Sequence, residues 1–163
     1  MNKSKFIATA IIAAVFLILV TLILSQGKAI QKQAQLDSYF GISRMLVISN
    51  NSTENYTVYV ASNISQQERG YMNQTSLGDC GGGANCLGML FLFDHQGEEC
   101  FWMKNTEIPL KQMWIASNGM ITYSANAVPY STSVICANGS MVLETSPSAG
   151  VSIGDRAVLV KAP

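Results

Sequence analysis

FWMKNTEIPL, residues 101–110, is the most distinctive stretch of the chain, and the apolar run GMLFLF, residues 88–93, precedes it closely. The segment 89–93 is apolar throughout, which is typical of a buried strand. Pro109 has no N–H to donate, so a central strand cannot continue through it. We therefore predict that residues 105–110 form a tight turn or a short 3₁₀ segment beside a buried strand.

Short apolar runs separated by turn residues flank this stretch on both sides. Residues 44–49 and 56–61 are rich in β-branched and aromatic side chains and enclose a polar segment, which predicts a hairpin. Asn-Gly at 118–119 between two apolar runs is the strongest short hairpin signal, because both residues tolerate positive φ. Further strands are expected at 100–103, 141–145 and 156–161, with a polar turn at 94–99 and a turn at 154–155. The pattern predicts an all-β fold, a compact β barrel or sandwich with one or two short helices.

One short helix is expected after the first hairpin. Ser65 and Glu68 have the spacing of a capping box, in which each side chain satisfies a backbone N–H of the other residue. The helix is predicted to run from Gln66 to about Met72.

The N-terminal segment 6–24 contains nineteen residues and no charge. A helix of that length is about 28 Å long, close to the ~30 Å hydrocarbon core of a bilayer. A cleaved signal peptide is the alternative, although its apolar region is normally only ~7–15 residues. We predict a transmembrane helix or signal anchor at 1–25, a helical stalk or linker at 26–43 and an extracytoplasmic β domain at 44–163.

The orientation of this helix is not decided by charge, because Lys3 and Lys5 precede it while Lys28 and Lys32 follow it. A cluster of Asn-x-Ser/Thr sequons favours a glycoprotein whose domain faces outward. The candidate glycosylation sites are Asn50, Asn51, Asn55, Asn63, Asn73 and Asn138. We predict a single-pass membrane protein with its C-terminal domain outside the cytoplasm.

Four cysteines allow three pairings, and an extracytoplasmic location favours disulfides. The preferred pairs are Cys80–Cys86, within a glycine-rich loop, and Cys100–Cys136. A metal site is the rival interpretation, but no Cys-x-x-Cys pair is present and His95 is the single histidine. We expect two disulfides and no metal site.

The charge balance argues against a nucleic-acid partner. The formal net charge is zero, and beyond residue 40 six Lys/Arg face nine Asp/Glu. A basic stripe that could neutralise phosphates is missing from the sequence. The glycine-rich loop 77–87 lacks the Gly-Lys-Ser/Thr of a phosphate-binding loop, so no cofactor is expected.

The order of motifs resembles the domain of unknown function 192 family. Gly-Met-Leu-Phe, Phe-Trp-Met-Lys-Asn-Thr and Pro-Leu follow one another as in that family, and residues 67–72 resemble its Glu-Arg-x-x-Gly-Leu-Met region in shortened form. Weaker similarity continues at 118–119, 128–129, 142–144 and 150–155. The resemblance covers roughly residues 46–160. It implies a compact β barrel or sandwich and no reaction, since the family has no agreed activity.

The resemblance also indicates candidate site residues. Polar positions of the family's motifs fall on Arg69, Lys104, Asn105, Glu144 and Asp155, of which Asp155 is best explained as a turn residue. The functional interpretation is a pocket beside Trp102, where Lys104 and Arg69 bind an anionic or carbonyl group and Glu144 orients them. The simpler interpretation is an internal ion pair of Glu144 with Arg69 or Lys104, since buried charges must be paired.

One position departs from the family's pattern. An acidic residue usually follows the Pro-Leu motif, whereas Lys111 stands there in this chain. No catalytic role is therefore carried over to this protein.

Three functions remain open. The first is a membrane-anchored extracytoplasmic module that binds a small ligand or another envelope protein. The second is an enzyme of unknown reaction that uses Lys104, Glu144 and Arg69. The third is a pilin-like filament subunit, although Lys5 precedes Phe6 without the small residue of a processing site. Binding is favoured over catalysis.

Overall fold

The computed structural model describes residues 3–82 and 86–160. The chain divides into two compact units, residues 1–35 and 36–163. Helix α1 runs from Lys3 to Tyr39. Within its part Ile11–Tyr39, an 18-residue window has a mean hydropathy of 2.2, and the helix is long and apolar enough to cross a membrane. Such a helix could anchor the protein.

Seven strands and a second, short helix follow α1 in the described residues. The elements are β1 Gly41–Ile48, β2 Thr53–Ala61, α2 Ile64–Arg69, β3 Cys86–Phe101, β4 Leu110–Ile115, β5 Ile121–Ala127, β6 Ile135–Thr145 and β7 Arg156–Val160. The strands form one sheet in the order β5-β4-β6-β3-β2-β1-β7. The sheet is mixed, because β2 and β3 are parallel while the other pairs are antiparallel. Lys161, predicted to end the last strand, lies outside the described residues.

The mostly-β class is confirmed, but the predicted closed barrel or two-sheet sandwich is wrong. The sheet is open, with β5 and β7 as its edges. The two ends approach each other at one isolated bridge between Met120 and Arg156. Backbone hydrogen bonds join the two ends there, from the Ile121 N–H to the Asp155 carbonyl and from the Ala157 N–H to the Gly119 carbonyl, but β5 and β7 do not pair as neighbouring strands.

The core lies on both faces of the sheet. Along β3, Met89 and Phe91 belong to one buried cluster, and Leu90 between them belongs to the other. Successive side chains of a strand point to opposite faces, so a strand covered on both sides is apolar throughout. Leu36 and Phe40, at the end of α1, pack in the first cluster.

The predicted polar turn at 94–99 is wrong. Strand β3 continues through it to Phe101, with a register irregularity between Leu92 and Gly97. Its polar side chains are mostly exposed, because this half of β3 pairs with β6 beyond the core. Exposure, not a chain reversal, explains the polarity.

Other local predictions are confirmed. Strands β1 and β2 form the first hairpin, and β4 and β5 form the hairpin around Asn118-Gly119, where Gly119 has φ +87°. Residues 105–109 form turns and bends rather than a regular strand, as predicted, whereas the separate strand expected at 100–103 is wrong, because Cys100 and Phe101 end β3 and residues 102–103 are irregular. Both disulfides, Cys80–Cys86 and Cys100–Cys136, are formed. Residues 83–85 of the glycine-rich loop lie outside the described part.

The predicted capping box is wrong. The N-cap of α2 is Asn63, whose side chain accepts a hydrogen bond of 3.0 Å from the Gln66 N–H. Ser65 already lies inside the helix, and its hydroxyl lies 2.8 Å from that of Tyr39. The helix therefore begins at Ile64, two residues earlier than predicted, and ends at Arg69.

Candidate binding cavity

A cavity of about 250 Å³ lies between α2, the second half of β3 and the end of β6. The residues that follow α2 form one wall, and aromatic side chains of β3 form another. The lining residues are Gln67, Glu68, Arg69, Gly70, Tyr71, Met72, Phe91, Phe93, Glu99, Cys100, Phe101, Trp102, Thr106 and Glu144. We call this space the Glu144 cavity.

Glu144 is the most buried charged residue of the lining, with 4% of its surface exposed. It stands directly opposite Gln112 in the pairing of β6 with β4. The Gln112 side-chain amide donates a hydrogen bond of 2.9 Å to Glu144 Oε1. Burial raises the pKa of Glu144 to about 7, although the hydrogen bond from Gln112 acts in the opposite direction. The carboxyl is therefore near its titration point at neutral pH.

The polar pair is not fully satisfied. Gln112 is completely buried, and its Oε1 has no hydrogen-bond partner in the described part of the chain. Buried polar atoms are nearly always hydrogen-bonded in native structures. An unpaired acceptor beside a carboxyl of raised pKa distinguishes this location from the apolar core around it.

A close approach of two strands fixes the backbone at Glu144. Gly88 of β3 has φ +149°, and a Cβ atom there would collide with the main-chain oxygen of Glu144. Glycine alone lacks that atom. The glycine of the Gly-Met-Leu-Phe motif thus lets β3 and β6 pair where the carboxyl enters the cavity.

Tyr71 lies beside Glu144 and has 2% of its surface exposed. Its hydroxyl donates a hydrogen bond of 3.2 Å to the Leu77 carbonyl. Burial, followed by the negative charge of Glu144, raises the pKa of Tyr71 well above its usual value. The phenol therefore remains neutral and serves as a wall of the cavity.

Arg69 lines the cavity but makes no ion pair with Glu144. Its guanidinium stacks over the Tyr39 ring, 4.3 Å from the centroid. The pKa of Glu144 is determined by burial and by Gln112, with no cation among its causes. The internal pair expected from the sequence is thus replaced by a carboxyl–amide contact.

Trp102 is at the rim of the cavity, with 45% of its surface exposed. Lys104 lies over its ring, with Nζ 5.0 Å from the centroid, and is not part of the lining. Asn105 adopts the left-handed conformation with φ +56°, and its carbonyl accepts a hydrogen bond of 2.8 Å from the Asn73 N–H. The structure thus brings Arg69, Trp102 and Glu144 to the cavity and leaves Lys104 and Asn105 outside the lining.

Two further predicted positions have structural partners elsewhere. Lys111 Nζ donates a hydrogen bond of 2.6 Å to the Val151 carbonyl. The Asp155 carboxyl accepts one of 2.8 Å from the Ser152 N–H. Asp155 is therefore a turn residue, as the sequence indicates.

Sequence reasoning missed Gln112 and the aromatic wall. Phe101 makes edge contacts with Phe91 and Trp114, with ring centroids 4.9 and 5.9 Å apart. A signal for Gln112 does exist, because one amide interrupts the otherwise apolar end of LKQMWI. Its partner Glu144 is 32 residues away along the chain, and no local pattern joins the two.

Two carboxyl groups besides Glu144 line the cavity. The pKa of Glu99 is raised by burial, although nearby His95 acts in the opposite direction. Glu68 is exposed. Within residues 3–82 and 86–160, no three His, Cys, Asp or Glu side chains converge as a metal site would require. The acidic groups surround the space rather than converge on one point.

The chain is similar to proteins of known sequence and structure. The family model DUF192, described as "Uncharacterized ACR", matches residues 46–157. A protein from Sinorhizobium meliloti 1021, provisionally described as a transcription regulator, has 34% identity and a TM-score of 0.65, with 74% of this chain and 95% of that chain covered. A protein of unknown function from Novosphingobium aromaticivorans DSM 12444 has 28% identity and a TM-score of 0.63, with coverage of 72% and 84%. No curated protein matches. The residues that the family model matches include the whole lining of the Glu144 cavity.

Proposed function

The chain belongs to the DUF192 family, and from that premise we propose that it is a membrane-anchored extracytoplasmic module that binds a small ligand in the Glu144 cavity. The observation that carries this proposal is the buried carboxyl of Glu144, which faces a cavity without a cationic partner. Burying an ionisable group without a partner is unfavourable. A ligand that supplies the missing interactions would compensate for that burial.

The proposed organisation has an anchor at 1–25, a helical stalk after it and a binding domain that includes β1 from Gly41, three residues before the predicted start at 44. The length and hydropathy of α1 support the anchor. The two disulfides and the exposure of all six sequon asparagines support an outward-facing domain. Mapping peptides of the protein purified from its own membrane, without reduction, tests this location. Free thiols together with unmodified asparagines would contradict it.

A role in transcription, taken from the description of the Sinorhizobium meliloti relative, is not supported for this chain. Six basic residues face nine acidic residues beyond residue 40, and DNA binding depends on basic side chains that neutralise phosphates. An enzyme built on Lys104, Glu144 and Arg69 is likewise less favoured, because Lys104 does not line the cavity.

The two tryptophans provide a direct test of the binding proposal. Trp102 lies at the cavity rim, whereas Trp114 is completely buried. The full-length protein in detergent is titrated with a panel of small molecules, and tryptophan emission and melting temperature are recorded. A ligand is expected to change the emission, an effect that Trp102→Phe removes, and to raise the melting temperature.

The matched variants are Glu144→Gln and Glu98→Gln. Glu98 is exposed on β3 and does not line the cavity. We expect Glu144→Gln to abolish the melting-temperature shift and Glu98→Gln to retain it. A shift that both variants retain would contradict binding in the Glu144 cavity.

A further inference from the structure

We propose that the ligand of the Glu144 cavity is a small organic cation, an ammonium group on a compact apolar body. This inference rests on the binding function proposed above and adds the chemical class of the ligand. Charge, hydrogen-bonding capacity and wall chemistry each support it.

Acidic groups outnumber basic groups around the cavity. Glu68, Glu99 and Glu144 line it, against Arg69 in the lining and Lys104 over the Trp102 ring at the rim. The Arg69 guanidinium is already stacked on Tyr39. The potential inside the cavity therefore favours a positive ligand and disfavours an anionic one.

The buried carboxyl of Glu144 has unused acceptor sites that face the cavity. A carboxylate can accept about four hydrogen bonds, and Glu144 receives one, from Gln112. An ammonium group offers three donors and no acceptor. It would neutralise the buried charge and use the remaining acceptor sites of Glu144, which a neutral apolar ligand cannot do.

The wall suits a cation with an apolar body. Phe91, Phe93, Phe101 and Trp102 line the cavity, and aromatic faces attract cations as well as apolar groups. Drug-sized ligands occupy pockets of roughly 300–1,000 Å³, whereas this cavity has about 250 Å³. The ligand is therefore smaller than a typical drug molecule.

A divalent metal ion fits less well than an organic cation. Hard cations of this kind need several oxygen ligands at about 2.0–2.6 Å. The described residues contain no group of three convergent His, Cys, Asp or Glu side chains. The carboxyls are instead spread around the cavity, an arrangement that suits a larger cation.

The test uses three probes of similar shape and different charge: phenethylamine, 2-phenylethanol and phenylacetate. Binding to the full-length protein in detergent is measured by calorimetry. We expect the amine to bind at least about tenfold more tightly than the alcohol and phenylacetate to show no binding. Glu144→Gln should weaken amine binding at least about tenfold, whereas the exposed control Glu98→Gln should leave it unchanged.

Two further measurements keep the result interpretable. Glu99→Gln provides a second variant in case Glu144→Gln folds poorly, and it should also weaken amine binding. For the wild type, amine affinity should rise between about pH 6 and about pH 8 as the Glu144 carboxyl ionises. Glu144→Gln should lose this dependence, which a purely structural role would not produce.

The outcomes separate this inference from the function on which it rests. If the alcohol or phenylacetate binds as well as the amine, and Trp102→Phe or Glu144→Gln weakens that binding, the cation inference fails and the binding function stands. If no probe binds, the cation inference fails and the binding function loses its support. Stronger binding of the amine, lost in Glu144→Gln, supports both.

Discussion

The side-chain amide of Gln112 donates a hydrogen bond of 2.9 Å to the carboxyl of Glu144, which is directly opposite it in the pairing of β4 with β6. Both side chains are buried. A neutral amide holds the carboxyl in place, so the burial of Glu144 is not compensated by an opposite charge. The resulting raised pKa makes Glu144 the titrating group on which the behaviour of this domain should depend.

Stability should fall as pH rises through the titration range of Glu144. The carboxyl has an ordinary pKa of 4.5 and a pKa of about 7 in the folded protein. Between these values the folded state holds more protons than the unfolded state, so the free energy of unfolding decreases with pH. The contribution is fully present below about pH 4.5 and is lost as pH rises through about 7, with a total on the order of 3 kcal/mol. Urea unfolding across this range measures it.

Glu144→Gln should remove most of this dependence, because an amide does not titrate. The exposed residue Glu54 provides the control, since it lies on β2 far from the cavity in sequence, and Glu54→Gln should leave the slope unchanged. A wild-type stability that stays level between about pH 5 and about pH 8 would contradict the raised pKa.

Gly88→Ala should destabilise the domain by more than about 3 kcal/mol. The added methyl group would collide with the main-chain oxygen of Glu144, and φ +149° is unfavourable for alanine.

Two control variants separate the effect of the collision from the effect of the backbone angle. Gly154 has φ +95° with open space around its Cβ position, so Gly154→Ala should cost only about 1 kcal/mol. Gly150→Ala meets neither problem and should be nearly neutral. Equal losses in all three variants, measured by urea unfolding, would exclude the close approach as the cause.

The two disulfides should differ in their contribution to stability. Cys100–Cys136 joins residues 36 apart, and Cys80–Cys86 joins residues 6 apart. In the loop-entropy description, removal of the first should cost about 4 kcal/mol and removal of the second about 2 kcal/mol. Paired Cys→Ala substitutions and chemical unfolding measure the difference. A larger loss from the short loop would show that the packing of the buried Cys80 side chain, which is 3% exposed, outweighs chain entropy.

Features that depend on neighbouring residues could be predicted from the sequence. Asn118-Gly119 specifies a hairpin locally, and Pro109 excludes a regular strand wherever it stands. The Cys80–Cys86 pair follows from its short spacing and the glycine-rich loop around it. These signals act over a few residues, so they do not depend on the rest of the fold.

Features that depend on distant partners could not be predicted. Whether β5 and β7 join into a closed sheet depends on curvature accumulated over seven strands. The polarity of residues 94–99 is the same for a turn as for a strand that extends beyond the core. Arg69, Trp102 and Glu144 were identified through motif order, but Gln112 acquires its role only when β4 and β6 pair.

The N-cap of α2 offers a sharp test of one such local correction. Asn63 Oδ1 accepts a hydrogen bond from the Gln66 N–H, whereas Ser65 lies within the helix and contacts Tyr39. Asn63→Ala should therefore cost about 1 kcal/mol, while Asn63→Asp, which keeps an acceptor and removes the sequon, should cost little. Ser65→Ala should cost less than Asn63→Ala, because it removes one exposed hydroxyl contact. Chemical unfolding of protein made without glycosylation measures these differences. The opposite order, with Ser65→Ala the more harmful, would restore the capping box. Helix α2 supplies Gln67, Glu68 and Arg69 to the lining. Fraying of its N-terminus in Asn63→Ala should therefore also lower the affinity of the Glu144 cavity for a ligand.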